Sequence, residues 1–199
     1  MESTAVKRQT LAEALAVIAL IALGTQVRIY FQDLPNFAPV AALALFSGYF
    51  FRSWAMALCV PLGVMAISDA FIGAYDWRMM ALVYCMLAMP IALRSPLRRY
   101  LNIGQGNLRQ TVGAGAGLVT CSLFASLVFF FTTNLGSWLW FDMYPPTWTG
   151  LMTCYAQALP FFRFTLAGDL IFAVLLFGSY GLAMQLGWAR PRVASAASP

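Results

Sequence analysis

Several stretches of this chain are too long and too apolar to belong to a water-soluble domain. From Trp54 to Tyr75 one charged side chain, Asp69, interrupts the run, and from Gln110 to Phe131 there is none. A helix needs about 17–25 such residues to cross a bilayer. Lipid offers the backbone no hydrogen bonds, so a spanning chain must close them within helices or in a sealed barrel. Barrel strands read as alternating segments of about ten residues. These runs are continuous, which selects helices. The composition agrees: 10% of residues are charged and 61% hydrophobic, against roughly 25% and about 45–50% in soluble domains.

The pattern predicts an all-α integral membrane protein, a bundle of six transmembrane helices forming one domain over residues 1–189. The spans are read as about 11–29, 36–51, 54–75, 78–93, 110–131 and 164–186, with a bend at Pro61 and with Pro90 near the exit of the fourth. The second and fourth are short. Residues 190–199 are rich in Ala, Ser and Pro and read as a disordered tail. Lys7 and Arg8 before an apolar run, with Ala22-Leu23-Gly24 behind it, also fit a signal peptide. The run continues to Ile29, longer than a usual signal core, which favours a retained helix.

Charge gives an orientation. With the N-terminus inside, Lys7, Arg8, Arg52, Arg94, Arg98, Arg99, Arg109, Arg190 and Arg192 are cytoplasmic, and Arg28, Arg78 and Arg163 lie outside. Nine against three predicts both termini in the cytoplasm. These residues sit at the ends of apolar runs and form no stripe, so the net charge of +5 does not point to nucleic acid. The chain has no histidine, and Cys59, Cys85, Cys121 and Cys154 lie in separate segments. That excludes a Cys/His metal site, no cofactor is expected, and the cysteines read as small packing residues.

The connection from about Thr132 to Arg163 is long for a structureless loop. Pro145-Pro146, Thr149 as a candidate N-cap, and Leu151, Met152, Tyr155 and Leu159 at helical spacing predict a short extra helix on the outer surface, ending before Pro160. It could serve as a lid or lie passively at the interface.

Ionisable residues inside a membrane are costly and mark candidate sites. Asp69 lies about six residues before the outer end of the third span and Asp169 about five after the predicted outer start of the last, each roughly 9 Å deep or less at 1.5 Å per residue. Arg28 and Arg163 can reach the same layer, which Asn36, Asn134 and Gln157 border, with Trp138 nearby in sequence. This set predicts a polar, aromatic-rimmed pocket for a small amphipathic ligand. Alternatively, the carboxylates pair with the two arginines and only join helices, and the aromatics form an interfacial belt.

Ala12, Ala16 and Ala19 make a small-residue stripe on the first span, and Gly113, Gly115 and Gly117 another on the fifth, where a second helix can approach closely. No Walker A sequence, HExxH or GxSxG occurs, and no enzyme is expected. The weaker alternative is an intramembrane hydrolase built on Asp69 and Asp169.

Leu34-Pro-Asn-Phe-Ala-Pro-Val40, Ser68-Asp69 with Gly73, Thr133-Asn134 with Trp138, Gly150-Leu151 with Cys154-Tyr155, Pro160-Phe161-Phe162 and Gly168-Asp169 resemble a family of uncharacterised bacterial inner-membrane proteins. That family is similar in turn to the substrate-binding S components of energy-coupling-factor transporters. The resemblance implies uptake of a vitamin-like nutrient from outside. Ala12 and Ala16 would contact a transmembrane coupling subunit that recruits ATPase chains, and the loops around residues 33–37 and 132–163 would cover the ligand. The residues match no signature for a particular vitamin. A scaffold subunit without a ligand, embedded in membrane lipid, is the rival expectation.

Overall fold

The computed structural model describes residues 2–34, 36–101 and 108–187, and side chains over a somewhat smaller set. The predicted tail, with Arg190 and Arg192, lies outside the described residues, as does Pro35. Seven α-helices and one 3-10 segment follow one another: α1 (Glu2–Tyr30), α2 (Val40–Phe50), α3 (Trp54–Ile72), α4 (Trp77–Ala88), a 3-10 segment (Met89–Leu93), α5 (Arg94–Tyr100), α6 (Leu108–Trp140) and α7 (Trp148–Gln185). The described residues contain no strand. Five stretches are long and apolar enough to cross a membrane: Thr10–Tyr30, Trp54–Ile72, Trp77–Arg99, Gly113–Trp140 and Trp148–Gln185.

The sixth expected span is α2, and it is not a full crossing. Its 11 residues reach about 16 Å at 1.5 Å per residue, roughly half the hydrocarbon thickness. Val40 to Tyr49 are all buried, as a helix that is apolar all round must be. It forms the axis of the bundle, packed on α3, α7, the 3-10 segment and α5, with α1, α4 and α6 also in contact. One core joins Leu45, Phe46 and Tyr49 to Phe177 and Tyr180 of α7; another joins Leu43 and Ala44 to Val60, Val64 and Met65 of α3. The predicted start near Asn36 moves to Val40. Asn36 takes a left-handed φ of 59°, which Asn tolerates better than most residues, and Pro39 occupies the N-cap.

The C-terminal end of α2 is tied to its neighbours. Pro61 lies inside α3 and has no N–H for the Ala57 carbonyl four residues back. The Ser47 hydroxyl, from α2, donates to that oxygen at 3.0 Å. At the same end Arg94 donates to the carbonyls of Phe51 (3.3 Å) and Arg52 (2.7 Å), and Arg98 to those of Tyr49 (3.1 Å) and Phe51. Cations here complement the negative end of the α2 dipole. Gly48 is pressed against the 3-10 segment: an added Cβ would stand 3.2 Å from Ile91 Cα.

The largest departure from expectation is the region 132–163. It holds neither a long loop nor a separate outer helix. α6 continues to Trp140, residues 141–147 turn, and α7 runs unbroken from Trp148 through Pro160 to Gln185. The N-cap is Thr147, not Thr149: its hydroxyl accepts from Gly150 N at 3.1 Å. The turn closes tightly, since Trp138 Nε1 donates to Pro145 O at 3.0 Å and a Cβ on Gly150 would lie 2.0 Å from that oxygen. Proline removes one helical bond, and membrane helices tolerate that where neighbours support the backbone. Here α6 packs along α7, with Tyr155 OH donating to Phe131 O at 2.9 Å. At 33 and 38 residues the two helices reach about 50 and 57 Å, more than a hydrocarbon core requires.

α1 is peripheral, packed mainly on α3. Leu11, Leu15, Ile18 and Leu23 are exposed, as are Ala12 and Ala19, whereas Ala16 packs inward against the α2–α3 core. The four cysteines are unpaired.

Candidate functional site

The chain reverses at residues 31–39, 73–76 and 141–147 at one end of the bundle, and a cavity of about 420 Å³ opens there. Its walls come from the loop after α1, the first turn of α2 (Val40, Ala41), α3 and α4 (Met65, Met79, Val83, Leu87), α6 (Ala125 to Ser137), Phe141 of the following turn and α7 (Ala158 to Asp169). A void of this size suits a small organic molecule.

Two carboxylates belong to this end, held in different ways. Asp69 is 5% exposed and paired with Arg28 through Oδ1; its Oδ2 accepts from Tyr84 OH of α4 at 2.8 Å. The same Arg28 nitrogen also reaches Ser68 Oγ, and Ser68 donates in turn to Val64 O at 2.6 Å. Arg28 lines the cavity and Asp69 stands behind it. Asp169, 4% exposed, reaches the cavity wall directly. Its Oδ2 accepts from Ser126 Oγ of α6 at 2.6 Å, and no Arg or Lys among the described side chains is within ion-pair distance of it. The two carboxylates therefore have separate partners.

Of the side chains expected to form the site, Arg28, Asn36, Asn134 and Asp169 line the cavity. Asn134 spends its amide N–H on Phe130 O at 2.7 Å. Trp138 holds the α6–α7 turn. Gln157 and Arg163 are exposed on α7, and the Arg163 guanidinium lies 4.7 Å over the Phe164 ring. Because α7 begins at Trp148, Asp169 stands 21 residues into its helix, about 32 Å from the helix start. The expected pairing of Asp169 with Arg163 is not formed.

The sequence reading did not pick out Gln32, Tyr75, Thr133, Ser137 and Thr165, which also line the cavity, or the rings of Phe31, Phe37, Phe129, Phe130, Phe161 and Phe162. Of these, Thr133, Phe37 and the Phe161-Phe162 pair lie within the motifs that carry the family resemblance. Tyr75, in the turn after α3, has its phenol pushed up from the usual tyrosine value by burial first and then by the Asp69 charge, with Arg28 opposing. It stays a neutral hydrogen-bond donor. Gly168 admits the preceding loop: a Cβ there would lie 3.2 Å from Ala38 N, and one turn further on Phe172 packs against Phe37, ring centroids 5.7 Å apart. The motif segments 34–40, 133–138, 160–162 and 168–169 thus meet around one cavity.

Among the described residues no group of three or more His, Cys, Asp or Glu side chains could hold a metal ion. No curated protein and no solved structure matches the chain. The model of DUF6580, a family of unknown function, matches residues 8–191, and the chain belongs to that family.

Proposed function

We propose that the protein is a multi-pass subunit of the bacterial cytoplasmic membrane that binds a small molecule, in the manner of a transporter's substrate-binding component. Both termini lie in the cytoplasm on this reading, and the cavity opens outward. The observation that carries it is the cavity itself: about 420 Å³, rimmed by aromatic rings and floored by a buried carboxylate. Such a convergence of apolar walls and few polar groups is what a ligand site requires. The expected coupling subunit would dock on α1, whose Ala12 and Ala19 lie on an exposed apolar surface.

A scaffold subunit without a ligand is the second reading. It is favoured by that same α1 surface and by the open space around Gly113 and Gly115, where an added Cβ meets nothing within 4 Å. Native mass spectrometry of the gently purified protein separates the two. A co-purified small molecule, lost when Ala158→Trp fills the cavity, is the expected result. An apo mass under several growth conditions, with association lost in Ala19→Leu, would establish the scaffold instead.

A further inference from the structure

We propose that the cavity selects a ligand carrying a positive charge on an aromatic or apolar body, its cationic group seated against Asp169. This rests on the small-molecule reading above and names the ligand class. Charge accounting within the cavity leads to it. Arg28 is the cation of the lining, and Asp69 directly behind already neutralises it. Asp169 has no such partner: Arg163, the cation expected to serve it, is exposed and turned to Phe164. The site therefore keeps one carboxyl group without a counter-charge, which a bound cation would hold in its ionised form.

Hydrogen bonding does not make up the deficit. Ser126 has one hydroxyl proton, and its oxygen lies 2.6 Å from Asp169 Oδ2 and 2.9 Å from Ser122 O. The proton can serve only one of them at a time. A carboxylate 4% exposed with at most one donor is a costly arrangement that a counter-charge relieves. The surrounding wall suits the same ion. Phe129, Phe130, Phe162 and Phe37 line the cavity, Phe130 and Phe162 with centroids 4.7 Å apart, and aromatic faces attract cations while repelling anions. An anionic ligand would meet Asp169 with no free cation to offset it.

The test uses the full chain in detergent and three probes of one shape: naphthylmethylammonium, naphthylmethanol and naphthoate. Thermal shift and titration calorimetry should rank the ammonium first, about tenfold or more over the alcohol, as one desolvated charge contact would give. Asp169→Asn should erase that ranking, and Asp169→Glu and Ser126→Ala, which keep the carboxylate, should retain it. If Asp169→Asn fails to fold, the wild-type ranking with Ser126→Ala still decides. A naphthoate or alcohol preference, or an ammonium preference that survives Asp169→Asn, overturns the charge class and leaves the cavity a binding site. No binding of any probe, together with no co-purified molecule, overturns both.

Discussion

Arg28 and Asp69 illustrate how one ion pair can be structural and still shape a site. The pair joins α1 to α3, Tyr84 brings in α4, and Asp69 is 5% exposed. Removing one member leaves the other charge buried and alone, which costs about 3–5 kcal/mol. Asp69→Asn and Arg28→Gln should each lose about that much in unfolding assays in mixed micelles, and the double variant should lose much less than the sum. Additive losses would mean that the pair is not coupled. The charges themselves were legible in the sequence, because ionisable residues stand out in apolar runs, and Arg28 was one expected partner of Asp69. The hydroxyl partners were not legible: Tyr84 and Ser126 are ordinary side chains of membrane helices, and only the packing of α4 on α3 and of α6 on α7 gives them a role.

Helices in this bundle are supported where their own hydrogen bonding fails. Ser47 is completely buried, and its hydroxyl serves the Ala57 carbonyl left open by Pro61. Ser47→Ala should therefore cost about 1–3 kcal/mol, the penalty for an unsatisfied buried acceptor. Restoring an N–H with Pro61→Ala should recover most of it, and a neutral Ser47→Ala would show that water or α3 itself serves the oxygen. The same chemistry explains which elements could be read in advance. Apolar runs located α1, α3 and the core of α6 because lipid or core burial imposes them over whole turns. Pro160 suggested a break, yet α7 passes through it while packed along α6; that neighbour is a tertiary fact. The shortness of α2 has a similar origin. Asn36 in its left-handed turn and Pro39 at the cap delay the helix, and Gly168 lets the delayed loop settle onto α7.

At the scale of the whole molecule, the chain passes along the bundle axis six times if α2 is counted, although α2 alone is too short to cross. It descends from the cavity end at Val40 and returns as α3 after a three-residue turn. On the proposed topology the start of α1 and the end of α7 lie at the same end, with Arg52, Arg94 and Arg98, while residues 73–76 and 141–147 lie at the other. The arginines at the α2 terminus favour the cytoplasmic side for the first end. Single cysteines placed in a background without Cys59, Cys85, Cys121 and Cys154 can read this arrangement. Asp142, exposed in the α6–α7 turn, and Arg52, exposed between α2 and α3, report on opposite ends. In intact cells a membrane-impermeant maleimide should label Asp142→Cys, and Arg52→Cys only after permeabilisation. The reverse pattern would turn the protein over in the membrane and place the cavity mouth in the cytoplasm, ending the case for uptake from outside. Labelling of both from outside would mean that α2 and its turn do not sit at the opposite face. The central position of α2 resists that outcome, because Arg94 and Arg98 fasten its end to α5, the closing stretch of the crossing that begins at Trp77.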